Sequence, residues 1–510
     1  MELGLVLDMA AEDGPDRVAI VDVVDATLTR GELRNAARRA AARFLRAGAQ
    51  RVGYLAPNGR ALPVALFGAA LAGIPFVPFN HRLPDDQLGD LMARLPDLLV
   101  VTTTDGAQRL RRGAVMSIVL DTDLLDDLSE APAGPAVDPE TVAILLYTSG
   151  TTAAPKAAVL RHRHLTSYIV GTVEFGAADT DEAVIVSVPP FHIAGVSAVL
   201  SNLYFGRRLV YLDPFDAGRW LQTVRRHAVT HAMVVPTMLA RIGAEVGDAE
   251  ADVASLRTVA YGGAAMPGPV IERALRQFPA VGFTNAYGLT ETSSTIALLG
   301  PQDHRTAIDS DDPDVRARLH SVGRPLPGVE IKIVDADGQP CPTGVVGDVL
   351  VRGDQVSGEY LDVSPPSDAD DQGGAWFATR DRGYLDGDGF LFIEGRSDDT
   401  IIRGGENIGP AEIEDVLLSH PSILECAVVG LPDPEWGHRI AAAVVLRPGV
   451  VISPEAVRAW VKAKLGSLKT PELVEVRPDL PYTDSGKLLR RQVRSSFAGT
   501  TAPPPGETSS

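Results

Sequence analysis

The aliphatic run Val142–Leu146 passes directly into residues 147–159, Tyr-Thr-Ser-Gly-Thr-Thr-Ala-Ala-Pro-Lys-Ala-Ala-Val, and this junction constrains the fold more than any other stretch. The aliphatic run reads as a buried strand. The six residues Thr148–Ala153 that follow are small or hydroxylated, and Pro155 and Lys156 close the loop. Such a loop exposes backbone N–H groups, adds hydroxyl donors and ends in a cation, which suits a polyphosphate. The Gly-x4-Gly-Lys-Ser/Thr spacing of a Walker A loop is absent. On the loop alone, a polar turn carrying a surface lysine is the competing reading, because Ser/Thr/Gly clusters are ordinary loop chemistry.

Upstream, residues 17–29 predict a strand pair and Arg30–Ala47 an amphipathic helix with its basic residues outward. Residues 51–58 then predict a strand, Leu62–Ala72 a buried helix and Phe76–Phe79 a further strand. Strand, helix and strand in alternation imply a parallel sheet with crossover helices, hence an α/β fold. The longest apolar run, Ala61–Phe79, is cut by Pro63, Pro75 and Pro78 and does not make a membrane span.

A chain of 510 residues exceeds a single core and implies two or more domains. Its formal net charge of −19 argues against nonspecific binding to nucleic acid or an anionic membrane. Any phosphate site must therefore gather its cations locally. Cys341 and Cys426, without metal-ligand spacing, point to a reducing compartment, and the opening residues lack a basic leader, so a cytoplasmic location is expected.

Beyond the loop, Val184–Pro190 predicts a strand that leads into Phe191 and His192, and Ala232–Leu239 a strand that turns into a helix. Leu256–Ala265 ends a strand on Gly262–Gly263, where paired glycines let a flat ring lie against backbone. Residues 301–318 read as a charged loop without helical or strand period. From Ser321 the pattern becomes short alternating strands, interrupted by a polar and mobile-looking loop over 365–374. The tail from Thr500 reads as disordered.

Several of these stretches together resemble the acyl-adenylate-forming superfamily of acyl-CoA synthetases, luciferases and peptide-synthetase adenylation domains. Tyr147–Ala157 resembles its phosphate loop, differing at Ala153 and Ala157, where the family prefers glycine. Asn285-Ala-Tyr-Gly-Leu-Thr-Glu291 resembles its Tyr-Gly-x-Thr-Glu motif; Arg403–Ile408, Ala411–Glu414 and Leu480–Lys487 resemble motifs of its C-terminal domain. The likeness covers nearly the whole chain and is greatest to the acyl-CoA synthetases.

The resemblance implies a large N-terminal domain of parallel-sheet αβ layers over 1–397, with a small β subdomain from about 321. A small, mobile α+β C-terminal domain over 398–496 follows, hinged at Asp398, with 497–510 as a disordered tail. It also implies the site. Thr148, Ser149, Gly150, Thr151, Thr152 and Lys156 would cradle ATP phosphates, with Gly262, Gly263, Ala264, Asn285, Ala286, Tyr287 and Gly288 around the adenine. Thr290 would hydrogen-bond the α-phosphate, Glu291 and Thr148 would hold Mg²⁺, Asp381 would take the ribose hydroxyls, and Arg396 would contact ribose or phosphate. Lys487 would be the catalytic lysine, His192 would border the acyl pocket, and Gly405 would open the way for CoA.

The implied reaction is ligation of a hydrophobic, non-amino carboxylic acid to CoA through acyl-AMP. Two alternatives are a member that only forms thioesters from acyl-AMP, fed by a partner adenylating enzyme, and an inactive adenylate-binding protein. Arg380 motivates them. It stands where the family has glycine and would pair with Asp381, fill part of the nucleotide site or point away, and a slowed adenylation is expected.

Overall fold

The computed structural model describes residues 1–110, 117–148, 155–361, 376–403, 406–433, 436–483 and 488–497. The expected parallel sheets are present. In a six-stranded sheet, Ser117–Leu120, Leu98–Thr102, Arg51–Leu55, Phe76–Pro78 and Val142–Thr148 run parallel, and Lys156–Arg161 closes the edge antiparallel. In a nine-stranded sheet, six parallel neighbours run from Val18–Val21 through Arg208–Tyr211, Ala183–Val186, His231–Val234 and Thr258–Gly262 to Gly282–Leu289. Antiparallel strands flank them at both edges.

Helix Ala61–Leu71 is buried along its whole length, as its nearly unbroken apolar sequence requires. It packs closely on helix Arg30–Arg46: a Cβ at Gly68 would lie 2.7 Å from Cβ of Ala40. A capping box between Thr29 and Glu32 starts the second helix. Its first arginine corrects the expected outward basic face. Arg30 is buried, pairs with Asp13 at 2.7 Å and donates to the Gly206 carbonyl at 2.8 Å.

The charged segment 301–318 is not a loop. It forms helix Pro301–Asp309, then a short helix Pro313–Ala317 and a 3-10 turn. Pro301 suits the first helical position, and the Asp303 side chain accepts from the Gly300 N–H at 3.1 Å. The inward face consists of His304 and Ala307, both fully buried, too little apolar residue for a periodic signal.

Four antiparallel strands, Glu330–Val334, Gly347–Arg352, Phe377–Leu385 and Leu391–Arg396, make the small β unit. A 3-10 turn, Ser397–Asp399, leads into the C-terminal sheet, where Ile423–Asp433 and Gly437–Leu446 form a long hairpin. Alternate residues of Ile423–Asp433 face two cores: Cys426 and Val428 one, Ala427, Val429 and Leu431 the other. The last helix runs Arg490–Phe497 and ends on buried Phe497, one residue into the expected tail. The polar loop over 365–374 and residues 498–510 lie outside the described residues. Among the described residues no helix is long and apolar enough to cross a membrane.

Candidate active site

Both ends of the phosphate loop are fixed by one hairpin. Thr148 pairs across from Lys156, and the Thr148 hydroxyl donates to the Lys156 carbonyl at 3.3 Å. Ser149, Gly150, Thr151, Thr152 and Ala153, between them, lie outside the described residues, as do Gly405 and Lys487.

The neighbouring parallel strands Thr258–Gly262 and Gly282–Leu289 form a platform. Gly262 pairs with Ala286, so close that a Cβ at Gly262 would collide with the Ala286 carbonyl. Gly263 follows at φ +82°, a left-handed conformation that glycine adopts without strain. Gly263 and Ala264 are exposed, leaving their backbone open to a flat ring. Beneath them Tyr261 is held by His304. The Gly300 carbonyl, 2.7 Å from His304 Nδ1, can only accept, so Nδ1 carries the proton and Nε2 receives the Tyr261 hydroxyl at 2.8 Å. Burial lowers the His304 pKa, favouring this neutral ring.

Asn285, Ala286, Tyr287 and Gly288 lie half-buried on strand Gly282–Leu289. Asn285 donates to the Ser321 carbonyl at 3.1 Å. Gly288 admits no side chain, because a Cβ there would overlap the Ser294 carbonyl. The Tyr287 hydroxyl donates to Asp381 Oδ2 at 2.6 Å, and Arg396 Nε stands 3.0 Å from Asp381 Oδ1. Asp381 and Arg396 are direct register partners across an antiparallel pair. The family resemblance linked these three to one nucleotide, and the structure brings them into contact with one another.

Arg380 takes φ +64°, which costs a non-glycine residue about 1 kcal/mol. It is exposed and, among the described residues, makes no ion pair with Asp381. Of the three expected dispositions, pairing with Asp381 is the one not found.

Thr290 and Glu291 open a 3-10 turn directly after the strand. Glu291 is buried, and its Oε1 accepts the Tyr360 hydroxyl at 2.5 Å. Among the described residues Oε2 accepts no hydrogen bond, so it is available to a cation. The Thr148 hydroxyl spends its proton on Lys156 and likewise keeps a lone pair. One or two oxygens of this kind suit Mg²⁺, which takes its remaining ligands from phosphate and water. Among the described residues no group of three or more His, Cys, Asp or Glu side chains could hold a metal by itself.

His192 stands just ahead of helix Ile193–Phe205, its ring 4.8 Å from that of Phe191. Phe191 in turn meets His81 edge-on at 5.7 Å. Tyr360 was not anticipated. It lies 69 residues from Glu291, and no local pattern ties it to the site.

The model for the AMP-binding enzyme matches residues 7–361, and that for the AMP-binding enzyme C-terminal domain matches residues 412–487. A feruloyl-CoA synthase of Amycolatopsis is 34% identical over 449 residues, covering 88% of this chain and 89% of the relative. The o-succinylbenzoate CoA synthetase of Bacillus subtilis with its acyl-adenylate intermediate superposes with TM-score 0.83 at 29% identity, over 96% of this chain and 97% of the other. Its complex with ATP and magnesium gives TM-score 0.81 at 29% identity, over 96% and 98%. The chain belongs to the AMP-binding enzyme family, and its fold is that of an adenylate-forming ligase.

Proposed function

We propose that the chain activates a hydrophobic, non-amino carboxylic acid with ATP and passes the acyl group to CoA, releasing AMP and pyrophosphate. The observation that carries this is the contact set Tyr287–Asp381–Arg396 beside the open Gly263–Ala264 backbone. A carboxylate fixed by two donors suits the paired hydroxyls of a ribose, and the bare backbone suits an adenine. The feruloyl-CoA synthase and o-succinylbenzoate CoA synthetase likenesses support an acid without an amino group. So does the sequence around 192–200 and 261–266, small or apolar, with no carboxylate to meet an ammonium group.

Acid and α-phosphate are both anionic, so their meeting requires positive charge and fixed donors. Lys156 and the backbone of Ser149–Thr152 serve the phosphates, Thr290 the α-phosphate, and Lys487 the transferring centre. Glu291 with Thr148 would hold Mg²⁺, which would neutralise phosphate charge when bound. In the second half-reaction the CoA thiol attacks the acyl-AMP carbonyl and AMP leaves with the electron pair. A C-terminal domain from 398, turning at Asp398, would then bring Gly405 to the pantetheine arm as Lys487 withdraws. His192 would border the acyl chain. The two unpaired cysteines agree with work in a reducing cytoplasm.

The test is ATP–pyrophosphate exchange with a panel of hydrophobic acids, run beside thioester formation from synthetic acyl-AMP. Exchange plus acyl-CoA is expected. Thioester without exchange would replace this reading with a member fed by a partner adenylating enzyme. Acceptance of amino acids alone would overturn the substrate class.

A further inference from the structure

We propose that Tyr360 is a positioning residue for the Glu291 carboxylate, setting how firmly the site grips a divalent cation; this rests on the reading that Glu291 holds Mg²⁺. The Tyr360 hydroxyl donates to Glu291 Oε1 at 2.5 Å, and among the described residues that is its one hydrogen bond. A phenol donating to a carboxylate makes a short, charge-assisted bond. It occupies one oxygen, stops the carboxylate from rotating and leaves Oε2 presented to the site. Carboxylates that ligate metals are themselves commonly held by such a second hydrogen bond.

The tyrosine is built in rigidly. The Leu361 N–H donates to the Ala157 carbonyl at 2.8 Å and the Val159 N–H to the Glu359 carbonyl at 2.9 Å, with Tyr360 bridged to Ala158. These bonds stitch residues 359–361 along the strand that leaves the phosphate loop. Glu359 adds a two-pronged pair with Arg161 at 2.8 and 3.0 Å. On the other side the Ser357 N–H donates to the Glu291 carbonyl at 2.8 Å. One strap therefore grips both the Lys156 strand and the Glu291 backbone. Its ring lies 5.6 Å from Lys156 Nζ, so a single side chain meets the loop's cation with its face and the carboxylate with its hydroxyl. Packing alone would be served equally by phenylalanine.

The experiment measures binding of a non-cleavable α,β-methylene ATP analogue by calorimetry, with and without Mg²⁺, to the full chain and to Tyr360→Phe, Glu291→Gln and the double variant. Mg²⁺ should tighten binding to the parent chain, and Tyr360→Phe should reduce that enhancement about tenfold. Its metal-free affinity should stay unchanged, and adding Tyr360→Phe to Glu291→Gln should cost nothing more. A full enhancement in Tyr360→Phe would overturn the inference, as would an equal loss with and without Mg²⁺. Absence of any enhancement in the parent chain would instead overturn the reading of Glu291 itself, and the inference with it.

Discussion

Tyr287 and Asp381, 94 residues apart in sequence, are joined by a 2.6 Å hydrogen bond from the phenol to Oδ2. Burial first, and then the adjacent Asp381 charge, push the Tyr287 pKa well above the usual phenol value. The hydroxyl therefore remains a donor throughout the physiological range. With Arg396 on the other oxygen, the carboxylate is held in one orientation, so a nucleotide bound there as proposed would lose less entropy in ordering it.

Tyr287→Phe keeps the ring and removes the donor. A hydrogen bond to a charged group contributes about 1.5 kcal/mol, roughly a tenfold effect. KM for ATP in pyrophosphate exchange should rise by about that factor while kcat moves much less. An unchanged KM would mean that the Tyr287 hydroxyl is not needed to orient Asp381.

Arg380→Gly tests the departure at the neighbouring position. At φ +64° glycine relieves strain of about 1 kcal/mol, partly offset by the freedom it adds to the unfolded chain. Since Asp381 keeps Tyr287 and Arg396, the variant should melt slightly higher and its KM for ATP should change less than about threefold. A tenfold gain in the adenylation rate would show that the long side chain had been obstructing the nucleotide.

The parts legible in sequence were those whose chemistry is local. Gly262–Gly263 and Asn285–Glu291 are contiguous, and the two parallel sheets follow from short aliphatic runs alternating with helices. What sequence hid was tertiary partnership. Helix Pro301–Asp309 buries only His304 and Ala307, so its inward face has no apolar stripe to reveal it. Arg30 looked like an outer-face cation because its partners, Asp13 and Gly206, come from distant elements. Tyr360 reaches Glu291 only because a strand pairing carries it there.

Acid should loosen the N-terminal helix Leu3–Asp13. The Leu3 N–H donates to His162 Nδ1 at 3.1 Å, which requires that nitrogen to be unprotonated. Burial, reinforced by the N-terminal charge, brings the His162 pKa down from 6.5 to about 4. The unfolded chain thus binds the proton more readily than the folded one. This contribution to stability is complete above about pH 6.5 and is lost as the pH falls toward 4. His164 and His231, also lowered to about 4 by burial, act in the same direction. Melting temperature should fall steeply over that window, and His162→Gln should flatten the fall. An equal slope in both proteins would exclude His162 as a source.

Arg490 and Glu414 secure the segment that follows Lys487. The guanidinium spans both carboxylate oxygens, with the Nη2–Oε2 bond at 2.7 Å, and the Val428 N–H donates to the same carboxylate at 2.7 Å. Asp399, next to Asp398, lies 3.9 Å from Arg490. The pair therefore connects the last helix, helix Pro410–Leu418 and the turn before the C-terminal sheet. Arg490→Met would leave Glu414 largely buried without its cation, at a cost of about 3 kcal/mol. Arg490→Met with Glu414→Leu removes both charges and should recover most of that loss. Thermal melts and limited proteolysis would compare the three proteins. If the single variant is as stable as the parent, the pair does not hold this module together. If the double variant regains stability but not adenylation, the ion pair also orients the segment that carries Lys487.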